Sequence, residues 1–374
     1  MLRLVEPSLE HLPSYLDALA RGWSFDSHRV EQAIREEREE IARDAAGFVA
    51  RQVDREAKGA PIVLPDGSRV PRLPGYRLWM WDGEYCGTVS FRWQPGTCEL
   101  PPTCLGHIGY GVVPWKRRRG CATAALGAMR ERVRREGFDR IDITAGIDNA
   151  ASHRVIVANG GFAIERFRAP AECGGEDCLR FRWYAGEPMP IERATARLAL
   201  RQWRDSDHAA FAAMNANALV MEHFLAPLSR GESDALLERS REAIARRGWG
   251  LWAVERRADE ALLGFVGLTV VPDDMPFAPA VEVGWRLARA AWGSGHATEA
   301  AREALRVAFD VLGLAEVVSY TALANERSAA VMRRLGMREA GRFDHPRVPE
   351  GHRLRPHRLL RLAREDFARR TTQP

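Results

Sequence analysis

Apolar positions recur with a helical period in two stretches that resemble each other. Over 122–136, Ala122, Ala125, Leu126, Met129 and Val133 share one face, and Gly137 stops the run. Over 297–312, Ala301, Ala304, Leu305, Ala308 and Leu312 do the same, and Gly313 follows. Helices are also predicted over 8–19, 29–44, 206–217 and 232–247. Strand-like runs fall at 76–81 and 85–93, joined by the hairpin signal Asp82-Gly83, and at 251–255 and 262–271. Further strands are predicted at 107–113, 141–147, 179–184, 196–201 and 317–323. The segment 61–74, which holds Asp66-Gly67, reads as an inserted hairpin or loop.

These elements are one pattern written twice. His107-Ile-Gly109-Tyr110 returns as Glu282-Val-Gly284-Trp285 at an offset of 175. The same offset carries Gly120 onto Gly295, Ala122 onto Ala297 and Thr123 onto Thr298. One residue is then gained, and Asn149, Ser152 and Gly160 reappear as Asn325, Ser328 and Gly336. An ordered repeat of domain size implies two copies of one unit and not a solenoid. The turn-rich stretch Ala185–Pro190 separates them, giving domains 1–187 and 188–374. The predicted class is α/β with a mixed sheet in each domain, flanked by helices.

Composition narrows this picture. A chain of 374 residues fits two domains of about 150. With 46% apolar and 28% charged residues, it has globular and not disordered composition. No apolar run reaches the roughly 18 residues of a membrane span, and the first residues lack a secretory apolar region. A soluble cytoplasmic protein is expected. The net charge is +5, and all basic residues except Lys58 and Lys116 are arginine. They are scattered among acids, as in Arg35–Glu40, whereas a nucleic-acid footprint clusters on one face. The six cysteines fit no zinc spacing, so free thiols in a reducing compartment and no metal are expected. His345, His352 and His357 have no cysteine partner and read as the wall of a substrate site.

The turn Arg117-Arg118-Arg119-Gly120-Cys121-Ala122-Thr123 lies between a strand and a helix. The first amides of a helix have no intrahelical partner, and with the helix dipole they attract a phosphate. Gly120 lets the backbone approach a ligand, small Ala122 leaves room, and the arginines add positive charge. The second copy offers Trp292-Gly293-Ser294-Gly295-His296-Ala297-Thr298, without arginine at the first position. Neither turn is a P-loop or a dinucleotide fingerprint, since the downstream Lys-Ser/Thr and the spaced glycines are absent.

An R-x-x-G-x-A turn after a strand, followed by Asn-x-x-Ser before a helix ending in glycine, resembles the GNAT family of acyl-CoA-dependent N-acetyltransferases. Both halves carry the resemblance, and Val281–Trp285 with Trp292–Ala300 is similar to the RimJ/RimL-like branch. The resemblance implies tandem domains, each a twisted mixed sheet whose central strands splay to admit acetyl-CoA as cosubstrate. Backbone near Val112-Val113 and Leu287-Ala288 would pair with the pantetheine arm. The amides around Arg118–Thr123 (Arg118, Arg119, Gly120, Cys121, Ala122, Thr123) and Gly293–Thr298 (Gly293, Gly295, His296, Ala297, Thr298) would hold the pyrophosphate. Asn149 and Asn325 would bond to the pantetheine.

Acetyl transfer from a thioester to an amine needs a base, oxyanion donors and good positioning. A thiol of pKa about 8.5 leaves more easily than an amine near 10.4, so an acid adds little. Glu282 is the candidate base of the second copy, as the RimJ/RimL-like resemblance suggests, and His107 stands at the matching place in the first. The tyrosine that many relatives carry seven residues after the asparagine is replaced by Ile156 and Met332. Ser152 and Ser328 are the substitute acids at hand, and Trp285 is a candidate wall of the acceptor pocket. The expected activity moves acetyl from acetyl-CoA to a primary amine of a small molecule or a protein N-terminus. In the alternative, one half catalyses and the other is a non-catalytic CoA-binding or structural module. Nucleic-acid binding rests only on arginine content, and the two halves could form an intrachain pseudo-dimer.

Overall fold

The computed structural model describes residues 2–27, 29–64, 66–186 and 190–371. The chain falls into two compact units, 1–187 and 188–374. Positions 187–189 of the expected linker, including the boundary itself, lie outside the described residues.

The first unit opens with β1 (Arg3–Val5), α1 (Leu12–Ala20) and α2 (Val30–Ala50). Short β2 (Val53–Asp54) precedes the hairpin of β3 (Ile62–Val63) and β4 (Arg69–Val70) in the inserted segment. Then come β5 (Gly75–Trp81), β6 (Tyr85–Arg92), β7 (Ile108–Val112), α3 (Cys121–Arg135) and β8 (Arg140–Gly146). The unit closes with α4 (Ala150–Ala158), β9 (Phe162–Arg168) and β10 (Asp177–Tyr184). The second unit runs β11 (Arg193–Ala194), β12 (Leu198–Arg201), α5 (Asp207–Asn215), α6 (Arg230–Arg247), β13 (Leu251–Arg256) and β14 (Ala261–Val270). It continues with β15 (Val281–Leu287), α7 (His296–Arg306), β16 (Glu316–Ala322) and α8 (Glu326–Leu335). Its last elements are β17 (Arg338–Asp344), β18 (Pro356–Ala363) and α9 (Arg364–Thr371).

Each unit splits its sheet at the same place. In the first, β1-β5-β6-β7 and β8-β10-β9 are separate sheets, yet the His107 N–H donates to the Asp142 carbonyl at 2.8 Å. In the second, the order is β11-β12-β13-β14-β15-β16-β18-β17, but β15 and β16 pair only at Glu282 and Val318. The two junctions are the same contact carried over by the repeat. Beyond it the strands diverge and leave a gap.

Helices α3 and α7 cover one face of each sheet through the residues that the helical period selected. Ala125, Leu126, Met129 and Val133 are fully buried, as are Ala301, Ala304 and Leu305. Two helices depart from the sequence pattern. The Asp44 carboxylate accepts the Gly47 N–H at 2.8 Å, so α2 kinks there and restarts instead of ending. The last turn of the 297–312 helix widens into a π turn over Val307–Val311. Buried ion pairs fix the strands. Arg182 grips Asp142 at 2.9 and 3.0 Å, and Arg201 bridges Asp207 and Glu255 at 2.8 and 2.7 Å. No helix among the described residues is long and apolar enough to cross a membrane.

Candidate active site

The two turns between strand and helix have one geometry. Gly120 and Gly295 both precede their helix in the left-handed conformation, at φ +76° and +80°, and neither helix has a side-chain cap. The first bonds back to the turn are Ala124 N–H to Gly120 O and Glu299 N–H to Gly295 O. The amides of Cys121–Thr123 and of His296–Thr298 therefore lie ahead of the hydrogen-bonded helix, free to face an anion. Arg118, at φ +59°, adopts the conformation that Gly293 adopts at +77° in the second unit. A non-glycine residue held there stores about 1–3 kcal/mol of strain. The missing arginine of the second turn has a structural replacement. Arg117 Nε donates to Val112 O at 3.1 Å, and Trp292 Nε1 donates to Leu287 O at 2.8 Å.

The strand edges facing the gap can be counted from the hydrogen bonds. The Val113 N–H is taken by Cys86 O and the Ala288 N–H by Leu263 O. Those two amides are therefore not available to a pantetheine arm, which corrects that part of the expectation. Because the pattern alternates, the amides of Leu287 and Trp285 point to the edge from which β16 has withdrawn, as do those of Val112 and Tyr110. Asn149 and Asn325 act first as helix caps, accepting the N–H of Ser152 and Ser328 at 3.1 and 3.2 Å. Asn325 Nδ2 also donates to Thr321 Oγ1 at 3.0 Å.

In the second unit these parts open onto one cavity of about 1220 Å³. Its lining joins the α7 start, the gap edge of β15, Asn325 and Ser328 of α8, and Glu282. Positive charge stands beside the turn. Arg289 and Arg327 each place a guanidinium 4.9 Å from the Trp292 ring, and both line the cavity with Arg334. The sequence alone does not show these three at the turn, because Arg327 and Arg334 reach it from α8, which only the fold brings to the same cavity. Glu282 and Gly284 share a face of β15, and a Cβ added to Gly284 would meet only Glu282. Burial drives the Glu282 carboxyl up to about 8, while a hydrogen bond donated by the Tyr320 hydroxyl opposes the rise. Tyr320 in turn packs near the His345 and His357 rings, which also line the cavity. His352 is absent from that lining and accepts the Leu354 N–H at 3.2 Å. Trp285 lines the cavity, whereas Met332 is nearly fully buried at its edge.

The first unit builds the same turn, but its own side chains crowd the positions that match the second unit's site. His107 is 1% exposed, between the rings of Phe91 and Phe138, with Nδ1 held 3.2 Å from the Asp142 backbone. Burial pushes its pKa down. It precedes β7 and turns into the core instead of sharing the Gly109 face, so the expected base has no path to a substrate. That face is occupied by the unit's own side chains. A Cβ at Gly111 would meet Phe25 at 3.3 Å and Trp23 at 3.4 Å, and one at Gly109 would meet Arg92 at 3.0 Å. The Tyr110 hydroxyl reaches Ser152 O at 3.2 Å, and Ile156 is fully buried. Ser152 is thus engaged through its backbone by Asn149 and Tyr110. The histidines, cysteines and acids among the described residues form no group of three able to hold a metal.

Family comparison decides what these paired turns belong to. The model of the acetyltransferase (GNAT) family matches residues 32–162, and that of the acetyltransferase (GNAT) domain matches 197–338. The chain carries two GNAT domains. Over 62 residues it is 45% identical to FsC-acetyl coenzyme A-N(2)-transacetylase of Aspergillus fumigatus, 17% of this chain and 26% of that one. The chain therefore spans about a quarter of that relative. It is 26% identical over 149 residues to the uncharacterised N-acetyltransferase YoaA of Bacillus subtilis, 39% of this chain and 82% of that one. Among solved structures, a GNAT acetyltransferase from Bacillus anthracis aligns at TM-score 0.41 and 19% identity, over 47% of this chain and 99% of its own. Spermidine N-acetyltransferase from Vibrio cholerae, solved with CoA and spermine, aligns at 0.39 and 20% identity, over 46% of this chain and 99% of its own. GNAT acetyltransferases use acetyl-CoA, and the uncapped turn with its flanking arginines in the second domain fits the charge and shape of a pyrophosphate tail.

Proposed function

We propose that the C-terminal domain transfers acetyl from acetyl-CoA to a primary amine of a small molecule or protein N-terminus, and that the N-terminal domain is a non-catalytic CoA-binding or structural module. One observation carries this reading: Glu282, with a carboxyl raised to about 8, stands in the same cavity as the uncapped start of α7. The RimJ/RimL-like character of this half belongs to the proposal and keeps protein N-termini among the acceptors.

Acetyl-CoA supplies the activated acyl group when bound. Glu282 takes the proton of the attacking amine, and a base near pH 8 is well matched to that task. Tyr320 orients its carboxylate. The outward amides of Trp285 and Leu287 are donors available to the developing oxyanion and to the amide-bearing arm. Ser328 Oγ is the proton donor at hand for the departing thiolate, where assistance matters little. His107 and the Phe25 ring over Gly111 support assigning no chemistry to the first domain.

The test is release of CoA thiol by the full chain with a panel of amines. Glu282→Gln is expected to lose at least 100-fold in turnover, and Gly120→Val to keep it. Equal losses in both variants would refute the division of labour, and no loss in Glu282→Gln would refute the base.

A further inference from the structure

Arg286 lies on the same face of β15 as Glu282 and Gly284, two residues beyond the glycine. It lines the cavity next to Phe224. Its Nη1 donates to Asn215 Oδ1 at 2.8 Å, and its guanidinium sits 4.2 Å from the Phe224 ring and 5.4 Å from Phe265. Nε has no hydrogen-bond partner. Among the described residues no carboxylate pairs with Arg286, and burial alone lowers its pKa to about 10, so it stays charged at neutral pH.

Two arginines buried among the strands are treated differently, whereas Arg247, stacked 4.7 Å from the Trp249 ring, also has no carboxylate among the described residues but is not part of the cavity lining. Arg182 has Asp142, and Arg201 has Asp207 and Glu255. A desolvated guanidinium with one neutral acceptor is strongly unfavourable, because its charge is uncompensated and its planar fork is suited to two carboxylate oxygens. Asn215 fills one arm of that fork, Nε is buried without a partner, and the residue lines the cavity.

We propose that Arg286 binds a carboxylate on the acceptor, so that the substrate of the C-terminal domain is a small molecule carrying both an amine and an acid. This rests on the acetyl-transfer reading above. The amine lies at Gly284 and Glu282, and the acid lies on the guanidinium. Two strand residues span about 6.6 Å, which matches the roughly five bonds between amine and acid in an extended ω-amino acid such as 5-aminovalerate and not the two bonds of an α-amino acid.

Matched pairs test this: 5-aminovalerate against 5-aminovaleramide, and phenylalanine against phenylalaninamide. Thermal unfolding of the CoA-saturated full chain reads binding, and thiol release with acetyl-CoA reads turnover. In the first pair the acid is expected to bind tenfold more tightly than the amide. Arg286→Met should erase that preference, and Arg286→Lys should restore part of it. The ligand-free Arg286→Met protein should unfold no earlier than wild type, since it loses an uncompensated charge. Equal handling of acid and amide in the first pair, or a preference that survives in Arg286→Met, overturns the proposal. Acid-selective, Arg286-dependent binding without any acetylation keeps the carboxylate site and overturns the transferase reading instead.

Discussion

Replacing Glu282 by glutamine separates a buried base from a merely structural carboxylate. The group titrates near 8 in the folded chain against an ordinary 4.5. At about 1.4 kcal/mol per tenfold, that gap sets a ceiling of roughly 5 kcal/mol on what the ionised form costs the fold. Water reaching the carboxylate through the cavity lowers the figure to about 2–3 kcal/mol. The sign follows from which state holds the proton. Between pH 4.5 and 8 the folded chain keeps a proton that the unfolded chain has released. The favourable contribution of Glu282 is therefore complete below pH 4.5 and is lost as pH rises through 8. Glutamine lacks this dependence. Without ligand, the melting temperature of Glu282→Gln should move up relative to wild type as pH rises from 5.5 to 9, by about 5–10 °C in a unit of this size. Its kcat/KM should fall about 10²–10⁴-fold and lose the ascending limb centred near pH 8. A melting difference that stays constant with pH, or an intact limb in the variant, would refute the buried-base assignment.

Two further substitutions probe parts that act independently. Tyr320→Phe removes the hydrogen bond that favours ionised Glu282, so the ascending limb of the pH–rate profile should move to higher pH; a limb that stays in place contradicts the contact. Asp142→Asn leaves the Arg182 guanidinium buried without its acid and should cost the first unit about 3–5 kcal/mol, read as a lower denaturant midpoint.

Much of the fold was legible because the repeat compares each element with its twin. The apolar faces of α3 and α7, the glycine turns and the Asn-x-x-Ser caps all stand where period and spacing put them. Even Ser229-x-x-Glu232, which forms a capping box at the start of α6, is written in the sequence, although the pattern placed that helix start two residues late. Long-range register was not legible. Tyr320 meets Glu282 because β16 crosses β15 beside Val318, and nothing local encodes that crossing. His107 misled because matching positions need not share an environment: its ring turns into a cluster with Phe91 and Phe138, while Glu282 faces a cavity. The arginine absent before Gly293 was real, but Trp292 makes the equivalent bond, and Arg289, Arg327 and Arg334 bring the charge from elsewhere.

The central claim is that the uncapped start of α7 holds the phosphates of acetyl-CoA beside Glu282. Calorimetric titration of acetyl-CoA into the full chain, wild type against Gly295→Val, tests it most directly. Valine is strained at φ +80° and pushes the turn away from its ligand geometry. The account predicts saturable binding whose C-terminal site weakens at least 100-fold in the variant, with far-ultraviolet circular dichroism unchanged. Wild type that binds no acetyl-CoA, or a folded variant that binds it as tightly as wild type, would contradict the account.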